Sequence, residues 1–226
     1  MAKGYFITGT DTGVGKTSIT AALAAGMVEQ GLMVAALKPV ATGCVATPAG
    51  LRNADAEFLQ KYANVELDYD MVNPYAFEPK VSPNLAASQA GQRIDLARIG
   101  DLVEQVGTLA NCVLVEGVGG WQVPLTRNAT VADLAKSLGF PVILVVSVRL
   151  GCLNHAILSA QSIISSGCRL AGWVANIRER NVVNAPEIIE TLGTWIPAPV
   201  LGIVPPFRRF DVVAMAGLLD VAVLMK

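Results

Sequence analysis

Short runs that are apolar at every position alternate along this chain with longer stretches in which apolar residues recur every three or four positions. The first kind reads as strands buried on both faces, the second as helices with one buried face. Tyr5–Thr8 predicts a strand, Lys16–Gln30 a helix stopped at Gly31, and Met33–Leu37 a second strand. Asn53–Tyr62 predicts a short helix, and a turn-rich stretch with Pro74, Pro79 and Pro83 follows. Asp95–Leu109 reads as a helix, Cys112–Val115 as a buried strand, Val131–Leu138 as a helix and Val142–Val146 as the most apolar strand. Asn154–Ser165 and Pro186–Leu192 predict helices around a strand at Leu170–Ala175; Val200–Val204 closes the strand set and Val212–Leu224 is a last helix. Such an alternation predicts a mainly parallel sheet covered by helices on both faces. There is no internal repeat, low-complexity tract or linker, so residues 1–226 read as one domain, of a size that buries one substantial core. Ligands of such sheets bind outside the carboxyl ends of the strands, which makes the residues just after each strand the informative ones.

Composition narrows the classes. Seventeen basic residues stand against eighteen acidic ones, with no basic cluster to suit nucleic acid or an anionic membrane. The apolar fraction of 53% raises the question of a membrane span. The stretch free of charged residues, Leu150–Cys168, carries Asn154, His155, Gln161 and several serines, which are expensive in hydrocarbon. The N-terminus, MAKGYFITG, enters a strand pattern at once and shows no signal-peptide core. Cys44, Cys112, Cys152 and Cys168 have neither CxxC nor zinc-site spacing and read as free thiols in a reducing compartment. A soluble cytoplasmic protein is expected.

After the first strand the chain reads GTDTGVGKTS, Gly9 to Ser18. Glycines between a strand and a helix let backbone N–H groups turn inward around phosphate oxygens. Lys16 can then reach the β- and γ-phosphates and the Thr17 hydroxyl can ligate Mg²⁺. The strict pattern has a glycine where Thr10 stands; here it comes one residue earlier, at Gly9. Gly9, Gly13 and Gly15 are wrongly spaced for a dinucleotide fingerprint. The second strand ends at Lys38-Pro39. A lysine there, opposite a phosphate loop, can neutralise a transferring phosphoryl group, although taken alone it reads better as a surface lysine. The third strand ends in Glu116 and then GVGG. A carboxylate at that place can hold a hard cation among oxygen ligands, or be an ordinary exposed strand-end acid. Asp55, in NADAEFL, reads by itself as a first-turn helix acid.

Taken together these segments resemble the dethiobiotin synthetase family of P-loop NTPases over nearly the whole chain. The resemblance is carried by GTDTGVGKT, ALKPVATG, TPAGLRNADA, VNPYAF with a following SP, VLVEGVGGWQVPL, PVILVVSVRLGCLNHA, LAGWVAN and IPAPVLG, in order and spacing. It implies a single-domain P-loop NTPase that uses Mg²⁺ and ATP to close the ureido ring of biotin's precursor. In that chemistry CO₂ adds to one amine of 7,8-diaminononanoate, ATP phosphorylates the carbamate, and the second amine displaces phosphate. It asks for positioned charge more than for a protein nucleophile.

The resemblance also implies roles. Gly13, Val14, Gly15, Lys16, Thr17 and Ser18 fall on the triphosphate loop, and Thr17, Asp55 and Glu116 on the Mg²⁺ ligands. Lys38 falls on the active-site lysine, with Lys16 and Thr12 as its catalytic companions. Thr12 and Thr42 fall on substrate-side hydroxyls, Thr42 standing where serine is usual. Gly117, Val118 and Gly119 fall beside substrate and phosphates. Gly151, Cys152 and Asn154 open a helix suited to the substrate's distant carboxylate. In the family that helix comes from the other subunit, which implies a homodimer. Asn176 falls on the adenine contact, with Ile177 in place of the family's usual acid, and Pro205, Pro206 and Phe207 line the base pocket within PPFRRFDVV, a segment that matches poorly. His155 is a first-turn helix residue; Trp121 either walls the cleft or packs.

Three other readings meet specific obstacles. A partition-type switch ATPase carries a second lysine early in the loop, where this chain has Asp11. An amidotransferase synthetase needs a glutaminase unit for which this chain has no room. A nucleotide-binding module without chemistry leaves Lys38 and three separate candidate metal ligands unexplained.

Overall fold

Whether a strand can be apolar at every position depends on what covers each face of the sheet, and here both faces are covered. The computed structural model describes residues 3–225. In chain order the elements are β1 (Lys3–Gly9), α1 (Lys16–Glu29), β2 (Val34–Leu37), β3 (Val40–Thr42), β4 (Val45–Thr47), β5 (Gly50–Arg52) and α2 (Ala54–Tyr62). Then come α3 (Tyr69–Val72), β6 (Tyr75–Phe77), α4 (Pro83–Gln89), α5 (Leu96–Gly107), β7 (Cys112–Glu116), α6 (Val131–Leu138) and β8 (Val142–Ser147). The chain closes with α7 (Cys152–Ser165), β9 (Leu170–Asn176), α8 (Ala185–Trp195), β10 (Val200–Val204), α9 (Val212–Ala216) and α10 (Val221–Met225). Six strands form one parallel sheet in the order β10-β9-β8-β1-β7-β2.

Successive strand side chains point to opposite faces, and each set finds its own helices. Phe6, Val113, Val115, Leu144 and Val146 join one buried layer with residues of α5, α6 and α7. Tyr5, Ile7, Leu114, Ile143 and Val145 join the other, with Ile19, Leu23 and Met27 of α1 and with Val212, Met215 and Leu224 of α9 and α10. Helix α1 is mostly small residues, and its buried Ala21, Ala22, Ala24 and Gly26 let it lie close against its neighbours. No helix of the described residues is long and apolar enough to cross a membrane.

The strand–helix alternation expected from the pattern is present, with three differences. Between β2 and α2 the chain forms β3 and an antiparallel hairpin of β4 and β5, and β3 pairs in parallel with β6 from the turn-rich stretch after α2, which also holds the short helices α3 and α4. Each of these strands has three residues, too short for a period of two to stand out. Helix α7 begins at Cys152, two residues before the expected start, because Gly151 caps it with φ 85°. The expected last helix over Val212–Leu224 is two short helices. Between them Leu219 bridges Gly202 of β10, and the Asp220 N–H donates to the Leu201 carbonyl at 2.7 Å. The sheet's edge strand takes backbone hydrogen bonds that a continuous helix would have kept.

One packing contact gives a test of the layer behind β1. A Cβ placed on Gly4 would fall 2.2 Å from the ring of Phe140. A rigid ring cannot step aside cheaply, so Gly4→Ala is expected to lower stability by about 1–3 kcal/mol in urea denaturation, as overpacked cores do. Adding Phe140→Leu should recover a good part of the loss; a Gly4→Ala variant as stable as the parent would contradict this packing.

Candidate active site

Strand register assembles the site. Leu37 of β2 pairs with Val115 of β7, so Lys38 and Glu116, each one residue further on, emerge side by side. On its other edge β7 pairs with β1, Ile7 opposite Glu116, and β1 runs directly into the phosphate loop. Asn73 fixes the exit of β2: its Nδ2 donates to the Lys38 carbonyl at 2.7 Å, while the Lys38 N–H donates to Val72. Asn53 caps α2 by accepting from the Asp55 and Ala56 N–H groups, which sets Asp55 in the first turn. The segments NADA and VNPY therefore act as brackets for the acid and the lysine.

The three side chains meet at one point. Lys38 Nζ lies 2.5 Å from Glu116 Oε1 and 3.1 Å from Asp55 Oδ2. Thr17 Oγ1 donates to the same Glu116 oxygen at 2.9 Å. The Glu116 side chain is fully buried, that of Lys38 is 6% exposed and that of Asp55 is 49% exposed. Burial alone lowers the Lys38 pKa, but Glu116 and then Asp55 outweigh it, and the ammonium titrates above its ordinary range. Glu116 is therefore no solvent-exposed strand-end acid, nor is Lys38 a surface lysine.

Helix α1 opens on Gly15 with no side-chain cap and no acid in its first turn, so its N-terminal amides are free for an anion. Lys16 is buried, and its Nζ donates to the carbonyls of Asp11 (3.0 Å) and Gly119 (2.6 Å). Burial, reinforced by Lys38 and opposed by Glu116, pulls its pKa down to about 8. A phosphate in this place would supply the counter-charge that Lys16 lacks.

These groups face a cavity of about 670 Å³. Thr12, Gly13, Gly15, Lys16, Thr17 and Ser18 line it from the loop. Lys38, Thr42 and Asp55 line it from the β2 side, and Glu116, Val118 and Gly119 from the end of β7. Val14 and Gly117 lie behind the wall: Val14 is in the core, and Gly117 sits between Phe6 and Val131. Asn176 is also behind it, its Nδ2 donating to the Val14 carbonyl at 2.8 Å. Ile177 lines a separate apolar cavity of about 420 Å³ with residues of α8 and with Ile203. Pro205, Pro206 and Phe207 follow β10 and line neither cavity, Phe207 packing against the core under α1. Gly151 and Asn154 are exposed and Cys152 is buried in the core; none of the three reaches the cavity of its own chain. Trp121 is buried against Phe6, ring centroids 6.4 Å apart, so it packs and is absent from the cavity wall.

Lys80, Ser82, Pro83, Val123 and Arg178 also line the cavity. Only the SP after VNPYAF hinted at any of them. Lys80 and Arg178 lie on loops with no motif of their own, and their position depends on tertiary packing. Among the described residues no group of three His, Cys, Asp or Glu side chains gathers to hold a metal. The oxygen donors present are two carboxylates and the Thr17 hydroxyl, and the buried Glu116 Oε2 has no hydrogen-bond partner. That set suits a hard divalent cation.

The parallel sheet, the loop closing on a GKT helix start and the carboxylate at the neighbouring strand end together define a P-loop nucleoside triphosphatase fold. Solved structures agree at the level of fold. MinD cell division protein from Aquifex aeolicus superposes with a TM-score of 0.62 at 18% identity, covering 99% of this chain and 97% of that one. A ParA family ATPase from Chlorobium tepidum superposes with a TM-score of 0.57 at 14% identity, covering 99% and 93%. A family profile described as an AAA domain matches residues 3–212. Sequence relatives are far nearer. The ATP-dependent dethiobiotin synthetase of Pseudomonas paraeruginosa is 50% identical over 96% of this chain and 95% of its own length. That of Aeromonas salmonicida is 44% identical over the full length of both. The chain belongs to the ATP-dependent dethiobiotin synthetase family.

The buried pair predicts a coupling. Glu116→Ala leaves the Lys38 ammonium buried with only a half-exposed partner, and should cost about 3–5 kcal/mol in chemical denaturation. Lys38→Met in the same chain keeps the stem and removes the charge, and should restore much of that stability. Simply additive losses in the double-mutant cycle would show that the two side chains are not coupled.

Proposed function

We propose that this chain is the enzyme its family name describes, closing a cyclic urea on 7,8-diaminononanoate with CO₂ and ATP to give dethiobiotin, ADP and phosphate. The observation that carries the reading is the buried Lys38 ammonium, held between Glu116 and Asp55 in the same cavity as the phosphate loop. In the first step an amine of the substrate adds to CO₂ and loses a proton, giving a carbamate anion. An oxygen of that anion takes the γ-phosphoryl group and ADP leaves. The second amine then attacks the carbonyl carbon and phosphate departs as the ring closes.

Lys38 is the group that meets the charge shared between carbamate and transferring phosphoryl, a task for preorganised charge. Lys16 exchanges the carbonyls of Asp11 and Gly119 for phosphate oxygens, and the free amides of the α1 N-terminus take the rest of the chain of phosphates. Thr12 and Thr42 offer hydroxyls to the substrate. Thr17, Asp55 and Glu116 are the residues that would hold Mg²⁺, whose chemistry is to neutralise the phosphates and keep them oriented. Val118 and Gly119 border the phosphates with Gly117 behind them, and the base is assigned to the side of Asn176, Ile177 and the Pro205–Phe207 turn, outside the cavity wall that these residues do not form. The low formal charge and the absence of a basic cluster favour small molecules over nucleic acid or membrane as partners. The four cysteines are all free, which suits a reducing cytoplasm.

We assign the α7 N-terminus, Gly151, Cys152 and Asn154, to the substrate of a second copy. Support comes from its absence from the lining of the chain's own cavity and from the exposed Leu150 and Leu158 near it, 92% and 56% accessible. Exposed leucines flanking an open helix start are what an isologous two-fold interface would cover. Sedimentation should find a dimer. A monomer that retains full activity at nanomolar concentration would refute the assignment.

The reaction itself is tested with bicarbonate, Mg-ATP and the diamine, following the cyclic urea by mass spectrometry. Lys38→Met is expected to form the urea about a hundredfold more slowly or worse in single turnover, with ATP affinity much less affected. Arginine at this place should not rescue, because its planar fork does not fit an ammonium's site. A parent that releases ADP equally well without the diamine would defeat the synthetase reading, and an undiminished rate in Lys38→Met would remove the lysine from the chemistry.

A further inference from the structure

The segment leaving β9 grips the phosphate loop twice. Asn176 and Arg178 are two residues apart, so in extended chain they project to the same side. Asn176 Nδ2 donates to the Val14 carbonyl, and Arg178 Nη1 donates to the neighbouring Gly13 carbonyl. The two grips differ in kind. Asn176 is buried behind the loop, whereas Arg178 is solvent-accessible and lines the cavity beside Gly13, Gly15, Lys16, Thr17 and Ser18.

The loop leaves room for the guanidinium. Gly13 has φ 75°, and the nearest atom to a Cβ built on it is Arg178 Nη1 at 3.9 Å. A Cβ on Gly15 would likewise stand 3.9 Å from Arg178 Cδ. The arginine head and stem thus lie over Gly13 and Gly15, while the Val14 side chain between them turns into the core. A larger residue at position 13 would project towards the place the guanidinium occupies.

Charge separates Arg178 from the cavity's two buried cations. Lys38 is neutralised by two carboxylates, and Lys16 is held by the carbonyls of Asp11 and Gly119. Arg178 forms no ion pair among the described residues. Its planar guanidinium fork spreads donors over more than one direction. One donor rests on Gly13, and the others have no partner within the protein among the described residues.

We propose that Arg178 is a nucleotide-contacting residue: anchored on the Gly13 carbonyl, its guanidinium takes phosphate oxygens of the bound triphosphate. This rests on the reading of the cavity as an ATP site. The anchored half of the fork holds the head in place, so little side-chain freedom remains to be lost on binding.

The test compares Mg-ATP binding by equilibrium titration in the parent, Arg178→Ala, Arg178→Gln and Arg178→Lys, at low and high salt. Removing a charge-assisted contact should weaken ATP about tenfold in Arg178→Ala. Glutamine can still donate to Gly13 but carries no charge, so Arg178→Gln should bind nearly as weakly, and lysine should restore part of the loss. The salt dependence should be shallower in the alanine and glutamine variants than in the parent, since screening has one charge fewer to act on. Parental affinity in Arg178→Gln would reduce the residue to a structural clasp and overturn the proposal. So would an unaltered Arg178→Ala with only its nucleotide-free melting temperature lowered. A parent that itself binds no nucleotide would bring down the ATP reading first, and the arginine contact with it.

Discussion

Everything at this site leans on one buried ion pair. Lys38 and Glu116 stand at the ends of adjacent parallel strands, held there by the Leu37–Val115 register, and both side chains are buried. Each makes the other tolerable: an unpaired charge at this depth would neutralise or unfold its surroundings. Asp55 and Thr17 join the pair from a helix on each side, so four segments distant in sequence are tied to one oxygen-and-ammonium cluster. A parallel sheet suits this purpose because its strands all end on the same edge.

Much of this was legible beforehand, and the reason differs from residue to residue. The strands were visible because both faces are covered, which removes polar residues from runs such as VILVV. The loop was visible because a GKT helix start after a strand is rare without a phosphate to bind. Lys38 was only half legible, since its place at a strand end opposite the phosphate loop fits a surface lysine as well, and Asp55 reads alone as an ordinary helix acid that the family resemblance singled out. Their pairing follows from the register of β2 on β7, which no local periodicity encodes. Trp121 illustrates the same limit: its position after GVGG fits a cleft wall as well as a core, and only the contact with Phe6 decides. The broken last helix has a similar cause, since the bridge between Leu219 and Gly202 depends on where β10 lies.

Fold alone would have misled. MinD and ParA family structures share the architecture at under a fifth identity, and the architecture is compatible with switches as well as with synthetases. What distinguishes this chain lies in the cavity. Asp11 occupies the loop place where a partition-type ATPase has its second lysine, and it lends only its backbone carbonyl to Lys16. The loop's own cation is therefore a single lysine, and further positive charge arrives from other elements: Lys38 from β2, Lys80 from the segment before α4, Arg178 from the end of β9.

That distribution bears on how the site would respond to nucleotide. Within the chain the two buried cations have internal partners, Lys16 two carbonyls and Lys38 two carboxylates. A phosphate chain competes for the first, since a carbonyl is a weaker partner than an anion. A divalent cation competes for the second, because the carboxylates that hold Lys38 are the oxygen donors available to it. On the proposed reading the two exchanges are complementary. Glu116 and Asp55 would hold the divalent cation that neutralises the phosphates, and Lys38, which shares those carboxylates, would meet the phosphoryl group beside them. Lys38 would then keep its place at the cavity wall and change its counter-ion there. An arginine would meet this requirement poorly, since its broad planar head could not pass from one partner to the other within a pocket shaped around a single nitrogen.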